Sequence, residues 1–358
     1  MPYRFRVGSF NCENFFSRAR LLNFDDNAKA KPFLEAAVQL DSELALQVYN
    51  PATILNLYKK LSKYVMVREN KGKLFSGTGA RMKVVAKGRD DWEGSIELLR
   101  DDIMPEGQIN TVRIVKEVNP DILCVVEIED RRVLERLGNS QLLGQGKYQH
   151  SMLIDGNDPR GIDVGVLSRL PIEELRSHID DRDPKGRVFS RDCLETRIVL
   201  GNGKPLWLLA NHLKSQGYGK KADNDAKRTR QARRVADILK ARFDLTKDLV
   251  IVAGDFNDSP QSPPLSPLLS NPHLHNVVAE QQPTDSWTYA YRGKTEQIDY
   301  LLVSEPLKQA MVGVGIERRG MFGIDKLTNG KIQPLSTIKK PKDAASDHAA
   351  IHADFNLT

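Results

Sequence analysis

Short apolar runs, each closed by turn residues or polar side chains, recur along most of this chain of 358 residues. They constrain the fold most strongly, because runs of about four to eight apolar residues between turn signals are typical of buried strands. The predicted strands are Arg4–Asn11, Ile122–Glu127, Asp163–Ser168, Leu194–Leu200, Leu206–Asn211, Leu249–Gly254, Gln297–Val303 and Asp347–Phe355. Helical patterns lie between some of them, at Gln108–Val118 and Asp223–Phe243. The chain is therefore predicted to be mixed α/β, with sheets in its core.

Composition excludes several classes of protein. Hydrophobic residues make up 40% of the chain and charged residues 28%, so it can bury a core and is not of the disordered class. Every apolar run is far shorter than the roughly 18 residues of a membrane span, so we expect no membrane association. The three cysteines, Cys12, Cys124 and Cys193, stand far apart. This spacing predicts no disulfide framework and no zinc finger, and it favours a reducing, cytoplasmic location.

Residues 17–107 interrupt the rhythm of strands. Their pattern predicts helices over Ala28–Val48 and Ala52–Val65, with Asn50 as an N-cap and Pro51 in the first turn. The apolar stripes of these helices must be buried, either on the rest of the chain or on another chain. We therefore expect a mainly helical insertion that narrows substrate choice beside the catalytic face, or that contacts a protein partner or a second copy.

Polar side chains collect where several predicted strands end, which is where sheet-based active sites usually form. The most specific signal is Gly254-Asp255-Phe256-Asn257, which follows a fully apolar strand. The other clusters are Asn11 with Glu13, Glu127 with Glu129, Asn211-His212 followed by Lys214, Asp299, and Asp347-His348. Singly, most have an ordinary structural explanation, such as a hydrogen-bonded core histidine. Together they favour one shared site.

The residue types in these clusters indicate phosphate chemistry. Carboxylate and amide oxygens are the ligands that Mg²⁺ prefers. His212 and His348 suit phosphate contact and proton handling near neutral pH. The sequence carries no serine or cysteine in a nucleophile elbow and no phosphate-binding P-loop. The expected reaction is therefore attack of water on phosphorus.

Positive charge is concentrated in one segment. The chain carries a net charge of +6, and Lys214–Arg242 alone holds ten basic and three acidic residues. A charge run of this kind is most often a solvated helix face. Because it begins directly after His212, it also favours contact with a polyanion. On a helix Lys227, Arg230 and Arg234 share one side and would line a path for a nucleic-acid backbone.

The order of these motifs resembles the endonuclease/exonuclease/phosphatase superfamily, which includes pancreatic-type deoxyribonuclease. The matching segments are Phe10-Asn11-Cys12-Glu13, Val126-Glu127, Asn157–Leu167, Ser190-Arg191, Asn211-His212, Gly254-Asp255-Phe256-Asn257, Ile298-Asp299-Tyr300 and Ser346-Asp347-His348. The resemblance covers about residues 4–16 and 110–358. It implies one domain over residues 1–358, a four-layer sandwich of two mixed sheets flanked by helices, with residues 17–107 inserted after the first strand.

The resemblance also implies a metal site and substrate-binding residues. Glu127 would be the main ligand of Mg²⁺, with Mn²⁺ as a substitute, and Asn11, Glu13 and Asp347 would surround the ion. The span from Glu13 to Glu127 is 114 residues, much longer than in compact family members. The residues assigned to substrate binding are Arg191, Lys214, Lys227, Arg230 and Arg234.

Catalytic roles follow from the same resemblance. Asp255 would orient or deprotonate the attacking water, and Asn257 would hold that water or the phosphate. His348, held by Asp299, would contact the scissile phosphate and balance charge in the transition state. His212 and Arg191 would add further positive donors to the phosphate oxygens.

Three functions are compatible with the sequence. The first is a divalent-metal-dependent nuclease that cleaves DNA or RNA, which the basic segment favours. The second is a phosphatase or phosphodiesterase that acts on a small phosphate ester or a lipid head group. The third is a nucleic-acid-binding or scaffold module without catalysis, which the complete set of catalytic residue types argues against. Fold resemblance alone does not separate the first two.

Overall fold

The computed structural model describes residues 2–17, 19, 27–100, 105–217 and 219–358. The chain divides into two compact units, one of Met1–Phe16 with Met104–Thr358 and one of Ser17–Ile103.

The strands are β1 (Tyr3–Phe15), β2 (Val65–Lys71), β3 (Phe75–Ser76), β4 (Lys83–Val84), β5 (Glu93–Leu98), β6 (Ile122–Ile128), β7 (His150–Leu153), β8 (Asp163–Ser168), β9 (Ile172–Arg176), β10 (Arg182–Asp183), β11 (Gly186–Arg187), β12 (Cys193–Val199), β13 (Pro205–His212), β14 (Leu249–Asp255), β15 (Leu274–Asn276), β16 (Tyr289–Tyr291), β17 (Lys294–Glu296), β18 (Asp299–Ser304), β19 (Met311–Glu317) and β20 (Ala350–Leu357). The helices are α1 (Asn27–Leu44), α2 (Pro51–Leu61), α3 (Glu106–Val118), α4 (Arg131–Gly138), α5 (Lys221–Arg242), α6 (Ser266–Leu269), α7 (Val277–Gln281), α8 (Glu305–Ala310) and α9 (Ile324–Leu327).

The larger unit contains two six-stranded sheets. Their strand orders are β19-β20-β1-β6-β8-β7 and β15-β18-β14-β13-β12-β9. Both sheets are mixed, because β1 runs parallel to β6 and antiparallel to β20, and β13 runs parallel to β14. All eight strands predicted from the sequence lie in these two sheets, and Asp163–Ser168 has its predicted bounds.

Apolar side chains between the two sheets form the central core of the larger unit. Val7 and Val126 of the first sheet belong to the same buried cluster as Leu208 and Ile251 of the second. Helices α3 and α4 cover the outer face of the first sheet, and α5 covers the outer face of the second. The predicted four-layer α/β sandwich is confirmed.

The smaller unit has its own core, which includes the fully buried side chains of Leu40, Ile54 and Trp92. Asn50 caps α2, since its Oδ1 accepts from the backbone N of Ala52 and Thr53 at 3.2 Å. Beside α1 and α2 it contains two two-stranded sheets, β2-β5 and β3-β4, so it is less purely helical than expected.

The predicted boundary of this segment is also four residues too long. The compact unit ends at Ile103, whereas residue 107 lies in α3 of the larger unit. Residues 18, 20–26 and 101–104 of the segment lie outside the described part of the chain.

Candidate active site

Three strands of the second sheet bring polar side chains side by side. At the end of β14, Asp255 pairs in register with His212 on β13 and with Asp299 on β18. Gly254 makes this close approach possible. It has φ of +129°, and a Cβ atom there would lie 1.9 Å from the backbone oxygen of Asn211. The sheet register therefore places residues from three separate motifs together.

Three predicted site residues adopt the left-handed backbone region that non-glycine residues rarely occupy. Glu13, Glu127 and Asn257 have φ of 47°, 63° and 56°. Glu13 and Glu127 lie at register shifts in the pairing of β1 with β6 and of β6 with β8. Such bulges redirect a side chain relative to simple strand alternation. Asn11 and Glu13, two residues apart, therefore do not follow the alternation of a regular strand.

Two amide side chains hold the buried carboxylate of Asp255. Asn11 Nδ2 and Asn257 Nδ2 donate to Asp255 Oδ2 at 3.0 and 2.9 Å, and the backbone N of Asn257 donates to Oδ1 at 2.8 Å. Burial raises the pKa of Asp255 to about 7, although the charge of His348 acts in the opposite direction. Asp255 is thus a fixed carboxyl group that can exchange a proton near neutral pH.

His348 is held by a second buried carboxylate. Its Nδ1 lies 2.8 Å from Asp299 Oδ2, to which Thr288 Oγ1 also donates at 2.6 Å. Burial opposes a charge on the imidazole. The charge and hydrogen bond of Asp299, together with the charge of Asp255, outweigh this and raise the pKa of His348 well above its usual range. His348 is therefore a buried imidazolium at neutral pH.

His212 is uncharged at neutral pH, unlike His348, so the expectation that it is a positive donor was wrong. Arg191 Nε donates to His212 Nδ1 at 3.2 Å, and Arg191 Nη2 lies 2.9 Å from His212 Nε2. Burial and the neighbouring Arg191 charge lower the pKa of His212 well below its usual range. The same Nε2 lies 3.6 Å from Asp255 Oδ2 and 3.9 Å from Glu127 Oε1. The neutral imidazole thus connects the arginine to the carboxylates of the site.

The predicted metal ligands form a cluster of acidic groups. The pKa of Glu13 is raised to about 7, mainly by desolvation, with the charges of Asp347 and Glu127 acting in the same direction. Asn11 is joined to this group, because its Oδ1 accepts from the backbone N of Glu13 at 3.0 Å. A divalent cation offsets the repulsion between neighbouring carboxylates, and carboxylate and amide oxygens suit a hard ion. The residues present therefore fit a divalent metal.

A second arrangement of donor atoms is more compact. Within the described part of the chain, Asp255, Asp299 and His348 form the group whose potential ligand atoms all lie within 4.8 Å of one another, and Glu13, Glu127 and Asp347 are not held as closely. Asp255 Oδ2 and Asp299 Oδ2 already accept hydrogen bonds from protein groups, whereas the buried Asp299 Oδ1 has no hydrogen-bond partner among the described residues. The site thus contains two groups of side chains that could hold a cation, this compact group and the acidic cluster.

The predicted basic residues do not all point to one place. Lys227 Nζ donates to Ser190 Oγ at 2.6 Å, directly before Arg191 in the chain. Lys214 lies two residues after His212, and its Nζ donates to backbone oxygens at 3.2 and 3.4 Å. By contrast, Arg230 forms a two-pronged ion pair with Asp183, and Arg234 Nε lies 2.7 Å from Asp181 Oδ2. Arg230 and Arg234 are thus held by acidic side chains of the same chain.

Three residues that contact the site were missed by the sequence reasoning. Besides Thr288, these are Ser346, whose Oγ donates to the backbone oxygen of Asn11 at 2.7 Å, and Tyr289, whose ring centroid lies 4.8 Å from that of His348. Ser346 belongs to the Ser346-Asp347-His348 motif, which is a sequence signal for its place in the site. Thr288 and Tyr289 carry no sequence signal of their own.

On a two-sheet sandwich, this arrangement of buried Asp255, charged His348 and an acidic cluster suits metal-assisted hydrolysis of a phosphoester. The model of the Endonuclease/Exonuclease/phosphatase family matches residues 104–348, and the chain belongs to this family. No curated protein sequence matches the chain significantly.

Solved structures similar to this chain include truncated Caenorhabditis elegans TDP2, with 20% identity, coverage of 70% of this chain and 89% of the other, and a TM-score of 0.48. Staphylococcus aureus beta toxin has 17% identity, coverage of 69% and 92%, and a TM-score of 0.47. The human Nocturnin catalytic domain has 16% identity, coverage of 71% and 87%, and a TM-score of 0.47.

Proposed function

We propose that the protein is a divalent-metal-dependent nuclease that cleaves DNA or RNA by a single in-line attack of water on phosphorus. The observation that carries this proposal is the position of Asp255. Asn11 and Asn257 fix its carboxylate by hydrogen bonds, and Asp255 Oδ2 lies 3.6 Å from His212 Nε2. A fixed carboxyl group with a pKa near 7 is suited to orient water and to accept its proton.

The acidic cluster would hold the cation. We assign Glu127, Glu13 and Asp347 as carboxylate ligands and Asn11 as an amide ligand, with Mg²⁺ as the ion and Mn²⁺ as a substitute. Bound there, the ion would supply positive charge to the phosphoryl oxygens.

The protein's own groups supply the remaining steps. Asp255 orients the attacking water and takes its proton, while Asn257 keeps the Asp255 carboxylate in place. His348, charged because Asp299 faces its Nδ1, stabilises the negative charge that develops on the phosphate. Arg191 and His212 bind phosphate oxygens from the other side.

Nucleic acid is the favoured substrate because Lys214, Lys227 and Arg191 add positive charge beside His212. One observation favours the alternative, a phosphatase or phosphodiesterase acting on a small phosphate ester or a lipid head group. Arg230 and Arg234, which the sequence placed on a nucleic-acid path, face Asp183 and Asp181 instead. The basic surface available to a long polyanion is smaller than the sequence suggests.

A direct assay separates these functions. Purified protein with Mg²⁺ or Mn²⁺ is tested on labelled single- and double-stranded DNA, RNA, bis(p-nitrophenyl) phosphate, p-nitrophenyl phosphate and phosphatidylcholine vesicles. Asp255→Asn serves as the inactive variant. Asp237→Asn, at an exposed position of α5, is the matched control. Cleavage of the nucleic acids supports a nuclease, whereas turnover of only the monoester or the lipid would reject it.

Location and partners stay predictions. Among the described residues, no helix combines the length and the apolar character needed to cross a membrane. Cys12, Cys124 and Cys193 are free and buried, and a cytoplasmic location stays a prediction. Binding of a protein partner or a second copy through residues 17–107 also stays a prediction.

A further inference from the structure

Arg191 has almost no contact with solvent, so its charge needs a partner inside the protein. Its guanidinium contacts both ring nitrogens of His212, but the uncharged imidazole cannot balance a positive charge. Among the described residues, Asp158 is the carboxylate that forms an ion pair with Arg191, at 3.6 Å between Oδ2 and Nε. The position of the Arg191 guanidinium therefore depends on Asp158.

Asp158 is itself held as an anion. Its Oδ1 accepts from the backbone N and the Nε of Arg160, both at 3.1 Å, and its Oδ2 accepts from Nη2 at 2.9 Å. Burial acts against the charge, but the hydrogen bonds of Arg160 and the charge of Arg191 outweigh it and lower the pKa of Asp158. A carboxylate that is bound at both oxygens and shared by two arginines is fixed in place.

The backbone beside Asp158 is joined to the backbone beside Arg191. The backbone N of Asn157 donates to the oxygen of Ser190 at 2.7 Å, and Asn157 Nδ2 donates to two backbone oxygens earlier in the same segment, at 2.9 and 3.4 Å. Gly156 lies so close that a Cβ atom there would be 3.0 Å from the Ser190 oxygen and 3.3 Å from Arg191 Cα. The loop of Asp158 thus contacts both the side chain and the main chain at Arg191.

Asp163 anchors this loop on the first sheet. It is the first residue of β8, and its Oδ1 accepts from the backbone N of Gly156 at 2.8 Å. A Cβ atom at residue 156 would lie 2.4 Å from that oxygen, so the contact requires glycine. β8 pairs with β6, the strand of Glu127. The Asn157–Leu167 motif therefore joins the strand of Glu127 to the loop that holds Arg191.

We propose that Asp158 is a positioning residue, which fixes the guanidinium of Arg191 against His212 and so sets the direction from which Arg191 meets the substrate phosphate. Removing one member of a buried ion pair leaves the other charge uncompensated. Without the Asp158 charge, Arg191 would turn toward Glu127 and Asp255, whose charges also act on it. This inference rests on the proposed phosphodiester hydrolysis and assigns one further residue to it.

A double-mutant cycle tests this role. Asp158→Asn should lower kcat/KM for bis(p-nitrophenyl) phosphate by about tenfold to a hundredfold, the range for losing an interaction with a charged group. Because Asp158 acts through Arg191, adding Asp158→Asn to the Arg191→Gln protein should cause little further loss. Arg160→Gln, at an exposed position, should lower kcat/KM severalfold and should also have little effect once Arg191 is replaced. Asp354→Asn breaks a two-pronged ion pair with Arg6 in the same unit and should leave kcat/KM unchanged.

An NMR measurement tests the same role without catalysis. The signal of the Arg191 Nε–H group is identified by its absence in the Arg191→Gln protein. It should shift or broaden in Asp158→Asn, because the ion pair at Nε is lost, and it should stay unchanged in Asp354→Asn. If Asp158→Asn does not fold, Arg160→Gln carries both measurements.

The outcomes separate the positioning role from the reaction. Losses that add in the double variant, or an Arg191 Nε signal that Asp158→Asn leaves unchanged, would overturn the role of Asp158 and leave phosphodiester hydrolysis standing. Failure of the unaltered protein to hydrolyse any phosphodiester would reject the proposed function. In that case an unchanged Nε signal in Asp158→Asn still overturns the positioning role, and a shifted signal supports it.

Discussion

His348 Nδ1 lies 2.8 Å from Asp299 Oδ2, and both side chains are almost completely removed from solvent. Asp299 also accepts from Thr288, whose hydroxyl in turn accepts from the backbone N of Asp299 at 3.0 Å. The carboxylate is thus fixed from two sides. The pair keeps a positive charge inside the protein, where an unpaired imidazolium would lose its proton.

The first prediction concerns this pair. Asp299→Asn retains the shape and removes the charge, so the pKa of His348 should fall toward or below its usual range. At neutral pH the imidazole would then be uncharged, and kcat should fall by about 10²–10⁴-fold, as for loss of a positioned acid or base. NMR titration of the histidine ring signals measures the pKa. If the His348 ring stays charged at pH 7 in the Asp299→Asn protein, Asp299 is not what holds its charge.

Much of this site could be predicted because each catalytic residue lies at or beside one end of a recognisable strand. Asp255 and Asn257 come after an apolar run of Leu249–Ala253, and the chain order of the motifs places them on one edge of the sheets. The direct pairing of Asp255 with Asp299 was beyond the sequence, because antiparallel register depends on contacts between distant segments.

Other features of the site depend on local backbone conformation and on long-range pairing, and they could not be predicted. Glu13 and Glu127 are directed by bulges with positive φ, which no glycine or asparagine marked in the sequence. Arg230 and Arg234 do lie on one helix, as their spacing predicted, but the sequence did not show which side chains they contact. The acidic partners that engage them lie 47 and 53 residues away, around the β10-β11 hairpin.

The second prediction concerns the attacking water. Asp255→Asn keeps the size of the side chain but replaces one accepting oxygen by an NH2 group and cannot take a proton from water, so kcat should fall by about 10²–10⁴-fold. The variant should keep its fold, because Asn11 and Asn257 remain in hydrogen-bonding distance of residue 255. A substrate with a chiral phosphorothioate should react with inversion at phosphorus. Retention of configuration would indicate a covalent intermediate and reject direct attack by water.

The third prediction concerns the metal. Glu127→Gln should lose most activity and most affinity for Mg²⁺ while keeping a cooperative thermal transition, because a neutral amide replaces the main charged ligand. Chelator should abolish activity of the unaltered protein, and added Mg²⁺ should restore it. Full turnover in excess chelator would disprove the metal dependence.

Metal binding should also depend on pH. With the pKa of Glu13 near 7, its carboxyl group is largely protonated below pH 7 in the metal-free protein and must lose that proton to bind the cation. Affinity for Mg²⁺ should therefore rise as pH increases from 6 to 8, with proton release on binding. Calorimetry in two buffers of different ionisation enthalpy measures this release. Glu13→Gln should weaken the pH dependence, and identical slopes in both proteins would contradict the role of Glu13.

The fourth prediction concerns the inserted unit. A flexible linker of about six residues replaces Ser17–Ile103 and leaves α3 intact. The ends can be joined because Gln108 Nε2 donates to the backbone oxygen of Phe16 at 2.7 Å. The three large core clusters of the sandwich contain no residue of the removed unit, so the variant should fold. We expect its activity on long nucleic acid to change relative to its activity on bis(p-nitrophenyl) phosphate. A folded variant with an unchanged ratio would show that the insertion has no role in specificity.

The last prediction concerns the salt dependence of binding to long DNA and RNA. Each phosphate neutralised by a cation contributes roughly 0.7 to 0.9 to the slope of log affinity against log salt concentration. Lys227→Gln should therefore flatten the slope by about one unit if Lys227 contacts a phosphate. The double variant Arg230→Gln with Asp183→Asn removes an ion pair without changing net charge, and its slope should stay that of the unaltered protein. Equal flattening in both proteins would mean that Arg230 leaves Asp183 to contact nucleic acid, as its place on the helix face suggests. An unchanged slope in both, with hydrolysis of small phosphodiesters intact, would favour a small phosphate ester as the substrate.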